Sequence, residues 1–156
     1  SPDARCTICM APGLPDNKQP ASIFLSGSIE MGKAIDWQTA LTKRLEHLPI
    51  TIFNPRRDDW DSSWEEDITN AKFREQVDWE LDQMALADVT VVCFVAGTQS
   101  PISLMELGLN ARDGKVVVCC PKGFWKRGNV QIVCHRYGIP VVETVEELAE
   151  EAIKKL

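Results

Sequence analysis

The chain has 156 residues, 44% of them hydrophobic and 26% charged, with 17 Lys+Arg against 23 Asp+Glu for a formal net charge of −6. That length suits one domain burying roughly 70% of the unfolded surface, and the composition is neither disordered nor fibrous. The acidic balance argues against a nucleic acid polymer as partner, because phosphate-backbone binders present a basic face. No apolar run reaches the roughly 18 residues of a membrane span, so no membrane partner is expected.

Residues 1–20 hold four of the nine prolines and no periodic pattern, which predicts a flexible N-terminal arm ahead of a domain over 21–156. Alternation then begins. "ASIFLSG" (Ala21 to Gly27) reads as a strand, "DWQTALTKRLEHL" (Asp36 to Leu48) has helical spacing, and "ITIFNP" (Ile50 to Pro55) is a strand stopped by proline. A long helix is predicted over about Trp64 to Ala87, then a strand at Val89 to Val95, a helix over Pro101 to Arg112, and the strand "KVVVCC" (Lys115 to Cys120). A weak helix near Asn129 to Arg136, a short strand at Ile139 to Glu143 and a helix from Val145 complete the chain. Strands separated by helices pair in parallel through right-handed crossovers, so the expectation is an α/β fold with a doubly wound five-stranded parallel sheet in a single domain.

Of six cysteines, three lie in or beside apolar strand-like runs, where free cysteine behaves as a small hydrophobe. This usage fits a reducing, cytoplasmic compartment. Cys6-Thr7-Ile8-Cys9 is a CxxC without a second CxxC or a nearby histidine, too little for a zinc or redox motif, and neither metal nor cofactor is implied. No charged segment followed by an apolar one marks a secretory signal.

In doubly wound sheets ligands collect beyond the carboxyl ends of the strands, where the strand order reverses. The loops there read "SGSIEMG", "PRRDDWD", "AGTQSPIS" and "PKGFWKRGN". The third leads into a helix with Ser100 suited to the N-cap and Pro101 to the first helical position. Glu106 falls in its second turn, between Ile102 and Leu109 on the helical wheel, which predicts partial burial near the strand ends. Burial raises the pKa of such an acid, while the helix N-terminus and loop donors favour its charged form. A solvated glutamate at the wheel's edge is the plain alternative. On the long helix Phe73, Val77, Leu81 and Met84 form an apolar stripe with Glu80 in its middle, while Asp78 and Asp82 project away. A lone buried carboxylate is costly unless satisfied, so Glu80 is either structurally paired or kept for chemistry. A helix reaching back two turns from Ala87 brings Glu80 towards Glu106.

Two acids at one pocket suit a reaction through an oxocarbenium-like transition state, one attacking the anomeric carbon and the other handling the leaving group's proton. Nothing competes: His47 and His135 belong to no triad, and neither a GxxxxGK[ST] nor a GxGxxG is present.

The segments "IFLSGSIE", "FNPRRDDW", "FREQVDWELDQMALADV" and "SPISLMELGLNA", in this order from about Ala21 to Glu143, resemble the nucleoside 2-deoxyribosyltransferase-like family, whose fold is flavodoxin-like. The resemblance implies that Glu106, in "ELG", is the nucleophile that attacks C1′ of a nucleoside and leaves a glycosyl-enzyme ester, which a second base or water resolves. It places the helper acid at Glu80, where many relatives carry Asp. Gly27, Ser28 and Ile29 resemble the segment that cradles the substrate's 5′ end, and Ser100 aligns with a serine contacting its 5′ group. Asp78 is retained as a substrate contact, and Asn129 as a residue lent to a neighbouring subunit's site. Glu30 stands where phosphate-using relatives have Arg, which favours a free 5′ hydroxyl or a phosphate held by Arg56, Arg57 or Lys122. Trp60, Trp64 and Trp37 offer stacking faces for a base, or belong to the core or an interface. The implied partner is a small nucleoside or nucleotide, and the implied assembly a homodimer or larger. The alternatives are cleavage of the nicotinamide bond of NAD and a nucleotide-sensing module without turnover.

Overall fold

The structure, a computed structural model, describes residues 5–15, 19–29 and 36–156. The chain order is β1 (Thr7–Met10), β2 (Ala21–Gly27), α1 (Trp37–Leu45), β3 (Ile50–Asn54), α2 (Ala71–Leu86), β4 (Val89–Cys93), α3 (Pro101–Asn110), a short 3-10 turn (Ala111–Asp113), β5 (Val116–Cys119), α4 (Arg127–Tyr137), β6 (Val141–Val142) and α5 (Val145–Lys155). All strands pair in parallel in the order β1-β3-β2-β4-β5-β6.

The sheet has six strands, not five. β2 to β6 make the flavodoxin-like arrangement, and the extra edge strand β1 comes from the stretch expected to be an arm, pairing Thr7 to Met10 with Thr51 to Asn54. Its cysteines, proline-flanked and unperiodic, gave no signal because an edge strand of four residues needs only a neighbour's free hydrogen-bonding groups. Trp79 of α2 fastens the following turn by donating Nε1–H to the Gly13 carbonyl at 2.7 Å.

Strand side chains alternate between two helical layers. Ile23, Leu25, Ile52, Val91, Cys93 and Val117 pack with Trp37, Leu41 and Leu45 of α1 and Leu148, Ala149 and Ala152 of α5. On the opposite face Phe24 and Phe53 meet Trp79 and Met84 of α2, and Val92, Phe94 and Val118 meet Leu107 of α3 and Val130 and Cys134 of α4. The central strands are buried on both sides, which is why they read as mainly apolar runs.

The long helix begins at Ala71 rather than near Trp64. Asn70 caps it, its Oδ1 accepting the Phe73 N–H, and the preceding residues are turns in which Asp61 and Asp67 accept the N–H groups of Ser63 and Thr69. These side-chain-to-backbone bonds offer the chain an alternative to helix.

Candidate active site

The strand order reverses between β2 and β4, and the carboxyl ends of these two strands are where a doubly wound sheet offers a candidate site. Ser26 is the penultimate residue of β2 and shares the face of Phe24, towards α2 and α3. Its Oγ donates to Glu106 Oε1 at 2.8 Å, with Ser26 only 1% and Glu106 7% exposed. Ser26 was missed in the sequence because a serine inside an apolar strand looks like a small filler.

Glu106 is buried as expected, but on a differently oriented face. The inward row of α3 is Ser103, Glu106, Leu107 and Asn110, while the flanking Ile102 and Leu109 are exposed. Asn110 holds this row against α2, its Nδ2 donating to Met84 Sδ at 3.4 Å and to the Glu106 carbonyl at 2.8 Å. Lys115 closes the end of α2 by donating to the carbonyls of Met84, Ala85 and Ala87, satisfying groups a helix leaves open.

On α2 the stripe is also rotated from the expected one. Gln76, Trp79, Gln83 and Met84 are buried, and Leu81 is exposed. Glu80, half-buried, lies beside Gln76, whose Nε2 donates to Glu80 Oε1 at 3.2 Å and to the Pro55 carbonyl at 2.8 Å. The acid is therefore flanked by polar groups, not centred in an apolar band.

The charge of Glu106 on α3 is felt at Glu80 on α2. Burial, and then the charge of Glu106, push Glu80 up from 4.5 to about 7, against the pull of the Gln76 hydrogen bond. Burial also raises Glu106, with the Ser26 hydroxyl opposing. Glu80 thus holds its proton up to near neutrality, while at Glu106 the Ser26 hydroxyl works against burial in favour of the charged form.

Gly27 ends β2 at φ 155°, and a Cβ there would lie 2.3 Å from the Cys93 carbonyl oxygen and 2.6 Å from Trp37 Cζ2. Only glycine allows β2 to pass this close to β4. Ser28 follows, its N–H on the Cys93 carbonyl and its Oγ accepting from Val95 N at 3.0 Å. The hydroxyls of Ser28, Thr98 and Ser100 form a buried triangle with sides of 2.8, 2.6 and 2.9 Å. Ser100 precedes α3 as expected but does not cap it through its side chain. Its backbone is left-handed at φ 50°, and its hydroxyl joins the triangle.

The remaining candidates are dispersed. Ile29 is exposed, and Glu30 lies outside the described residues. Arg56 is exposed, its backbone N–H on Asn54 Oδ1; Lys122 is exposed as well. Arg57 is buried, engaged by Asp59 at 2.6 Å and Glu75 at 2.8 Å, over the Trp64 ring, so most of its donors are spent within the fold. Trp37 is a core residue donating to the Ser28 carbonyl. Trp60 packs edge-on against Trp64 with centroids 5.0 Å apart. Asp78 pairs with Arg74 on the outer face of α2, 200° around the wheel from Glu80 by helical geometry of about 100° per residue, and so does not join the acids. Asn129 is exposed in the first turn of α4.

Two surface cavities, of about 310 and 290 Å³, are lined by Arg127, Gln131, His135, Ile139, Val141 and Glu143, and by Ile68, Phe73, Arg74, Val77 and Asp78. Neither is lined by Glu80 or Glu106; the chemistry of the acid pair, not cavity size, locates the site. Among the described residues no group of three or more His, Cys, Asp or Glu can hold a metal, and no helix is long and apolar enough to cross a membrane.

The fold defines an α/β protein with a doubly wound parallel sheet and two partly or fully buried glutamates on the helices that pack near its carboxyl edge. The profile described as nucleoside 2-deoxyribosyltransferase like matches residues 20–124, and the chain belongs to that family. Asn129 falls beyond the matched residues. A crystal structure of a conserved protein from Enterococcus faecalis V583 superimposes with a TM-score of 0.61 at 16% identity, covering 87% of this chain and 99% of that one, a likeness of fold. No curated protein matches this chain.

Proposed function

We propose that the protein cleaves or exchanges the N-glycosidic bond of a nucleoside or nucleotide, with Glu106 as nucleophile and Glu80 as acid and base. The observation that carries this reading is the pair of acids on separate helices, one held by the Ser26 hydroxyl, which favours its charged form, the other pushed up to about 7.

In the first step a Glu106 carboxylate oxygen bonds to C1′ as the C1′–N bond breaks. The departing base keeps the electron pair and takes the Glu80 proton. In the second, Glu80 accepts a proton from an incoming base or water, which bonds to C1′ and displaces the Glu106 ester. Ser26 lets Glu106 stay charged despite burial, and the pinched β2–β4 crossing at Gly27 fixes Ser26 relative to α3. Transfer and hydrolysis differ only in the acceptor. Asp59 and Glu75 hold Arg57 through Nε and Nη2, leaving only Nη1 without a partner among the described residues, so a 5′ phosphate would rely mainly on exposed cations such as Arg56 or Lys122, and a substrate with a free 5′ hydroxyl is favoured. A homodimer, with the exposed Asn129 reaching a neighbour's site, belongs to the same reading.

The test is intact-protein mass spectrometry of wild type and Glu106→Gln mixed with nucleosides, deoxynucleosides, their monophosphates and NAD, with chromatography of the released base. Base release with a sugar adduct that vanishes in the variant supports the reading. Binding without product across the panel rejects it in favour of a sensing module.

A further inference from the structure

Gln76 is 6% exposed and bridges two parts of the carboxyl edge. Its Nε2 meets the carbonyl of Pro55, directly after β3, at 2.8 Å and Glu80, one helical turn on, at 3.2 Å. Both N–H bonds are thereby used, while Oε1 is buried without a partner among the described residues. A buried orphan acceptor is uncommon and calls for an explanation. A backbone carbonyl can only accept, so turning the amide would press two oxygens together at the Pro55 side. Pro55 therefore fixes which amide atom Glu80 meets, even though that orientation leaves Oε1 unsatisfied.

We propose that Gln76 is a positioning residue, locked by Pro55 so that it always presents an N–H to Glu80 and thereby sets when that acid releases its proton. Its meaning for catalysis rests on the proposed function; the lock itself does not. The other influences on Glu80 act the opposite way: burial is the larger, and the carboxylate of Glu106, on α3, adds to it. A donor N–H favours the carboxylate. Without it Glu80 would hold its proton further above neutrality and serve poorly as the base of the second step, although it would still serve as the acid of the first.

Gln76→Met removes the donor at similar length, and Gln76→Leu removes it with a shorter side chain, neither adding a charge. In both, the Glu80 carboxyl is titrated by 13C-edited infrared spectroscopy, its band assigned by difference from Glu80→Gln, with thermal melting to confirm folding. The midpoint near 7 should rise by about one pH unit in each variant, as expected for loss of one hydrogen bond to a charged group, and the alkaline limb of the kcat/KM profile for base release should move with it. A purely structural Gln76 would lower the melting temperature and leave the midpoint in place. An unchanged midpoint in folded variants overturns the proposal even if nucleosides are turned over. A raised midpoint with no base released from any nucleoside keeps the lock and rejects the glycosidic reading.

Discussion

Replacing Glu80 by Gln should make the protein more stable, and by an amount that depends on pH. In the folded chain Glu80 titrates at about 7 against 4.5 for an ordinary glutamate, so the folded state binds its proton more tightly than the unfolded chain does. Below 4.5 both states are protonated and ionisation costs nothing. Between 4.5 and 7 the unfolded chain loses its proton first and stability falls, and above 7 the loss is complete. About 2.5 pH units at 1.36 kcal/mol each makes about 3.4 kcal/mol. Local relaxation around a half-buried group trims this to about 2–3 kcal/mol. Gln has a similar size and no charge, so any cost of burying its amide is the same at every pH. Urea unfolding of wild type and Glu80→Gln should therefore give a stability difference that shifts in favour of the variant by about 2–3 kcal/mol between pH 4.5 and 8. A difference that does not change with pH would show that Glu80 is not strained by burial beside Glu106, and would remove the basis for treating the two as a pair.

Ser26→Ala takes away the donor that keeps Glu106 charged, so the acid limb of the pH–activity profile should move up by about one pH unit; an unmoved limb would mean that the serine is only filler. Gly27→Ala should cost about 2–4 kcal/mol from the clash with Cys93 and Trp37. Gly114→Ala, at φ 74° but with nothing near its Cβ position, should cost only about 1 kcal/mol, and equal costs in urea unfolding would contradict the close crossing. Removing residues 1–15 strips β1 from the sheet and the Gly13 carbonyl from Trp79, and should lower stability by about 2–4 kcal/mol. A truncated chain as stable as the full one would return this segment to the status of an arm.

The sequence by itself determined the succession of elements from β2 onward and the helices on which Glu80 and Glu106 lie. β2 and β3 read as mainly apolar runs because their centres are buried on both faces, and Pro55 and Gly27 mark their ends. Glu106 was legible because helix spacing and the proline before it set its turn. The faces were less legible. Periodicity placed Ile102 and Leu109 beside a buried Glu106, and Leu81 in a buried stripe, but all three are exposed, because α2 and α3 pack through polar groups, Gln76, Gln83, Ser103 and Asn110, that a hydrophobic pattern cannot see. β1 escaped for the opposite reason: an edge strand of four residues is made by its neighbour and has no period of its own.

Only the tertiary structure decided what the acids meet. Ser26 and Glu106 are 80 residues apart in the chain and touch because β2 and β4 are neighbours at the reversal of strand order. The same packing consumed Trp37 within the fold and tied Arg57 to Asp59 and Glu75. The residue types at a site can be read along a chain, but which of them share a space is set by strand order and helix rotation, and these depend on contacts between segments that no local pattern records.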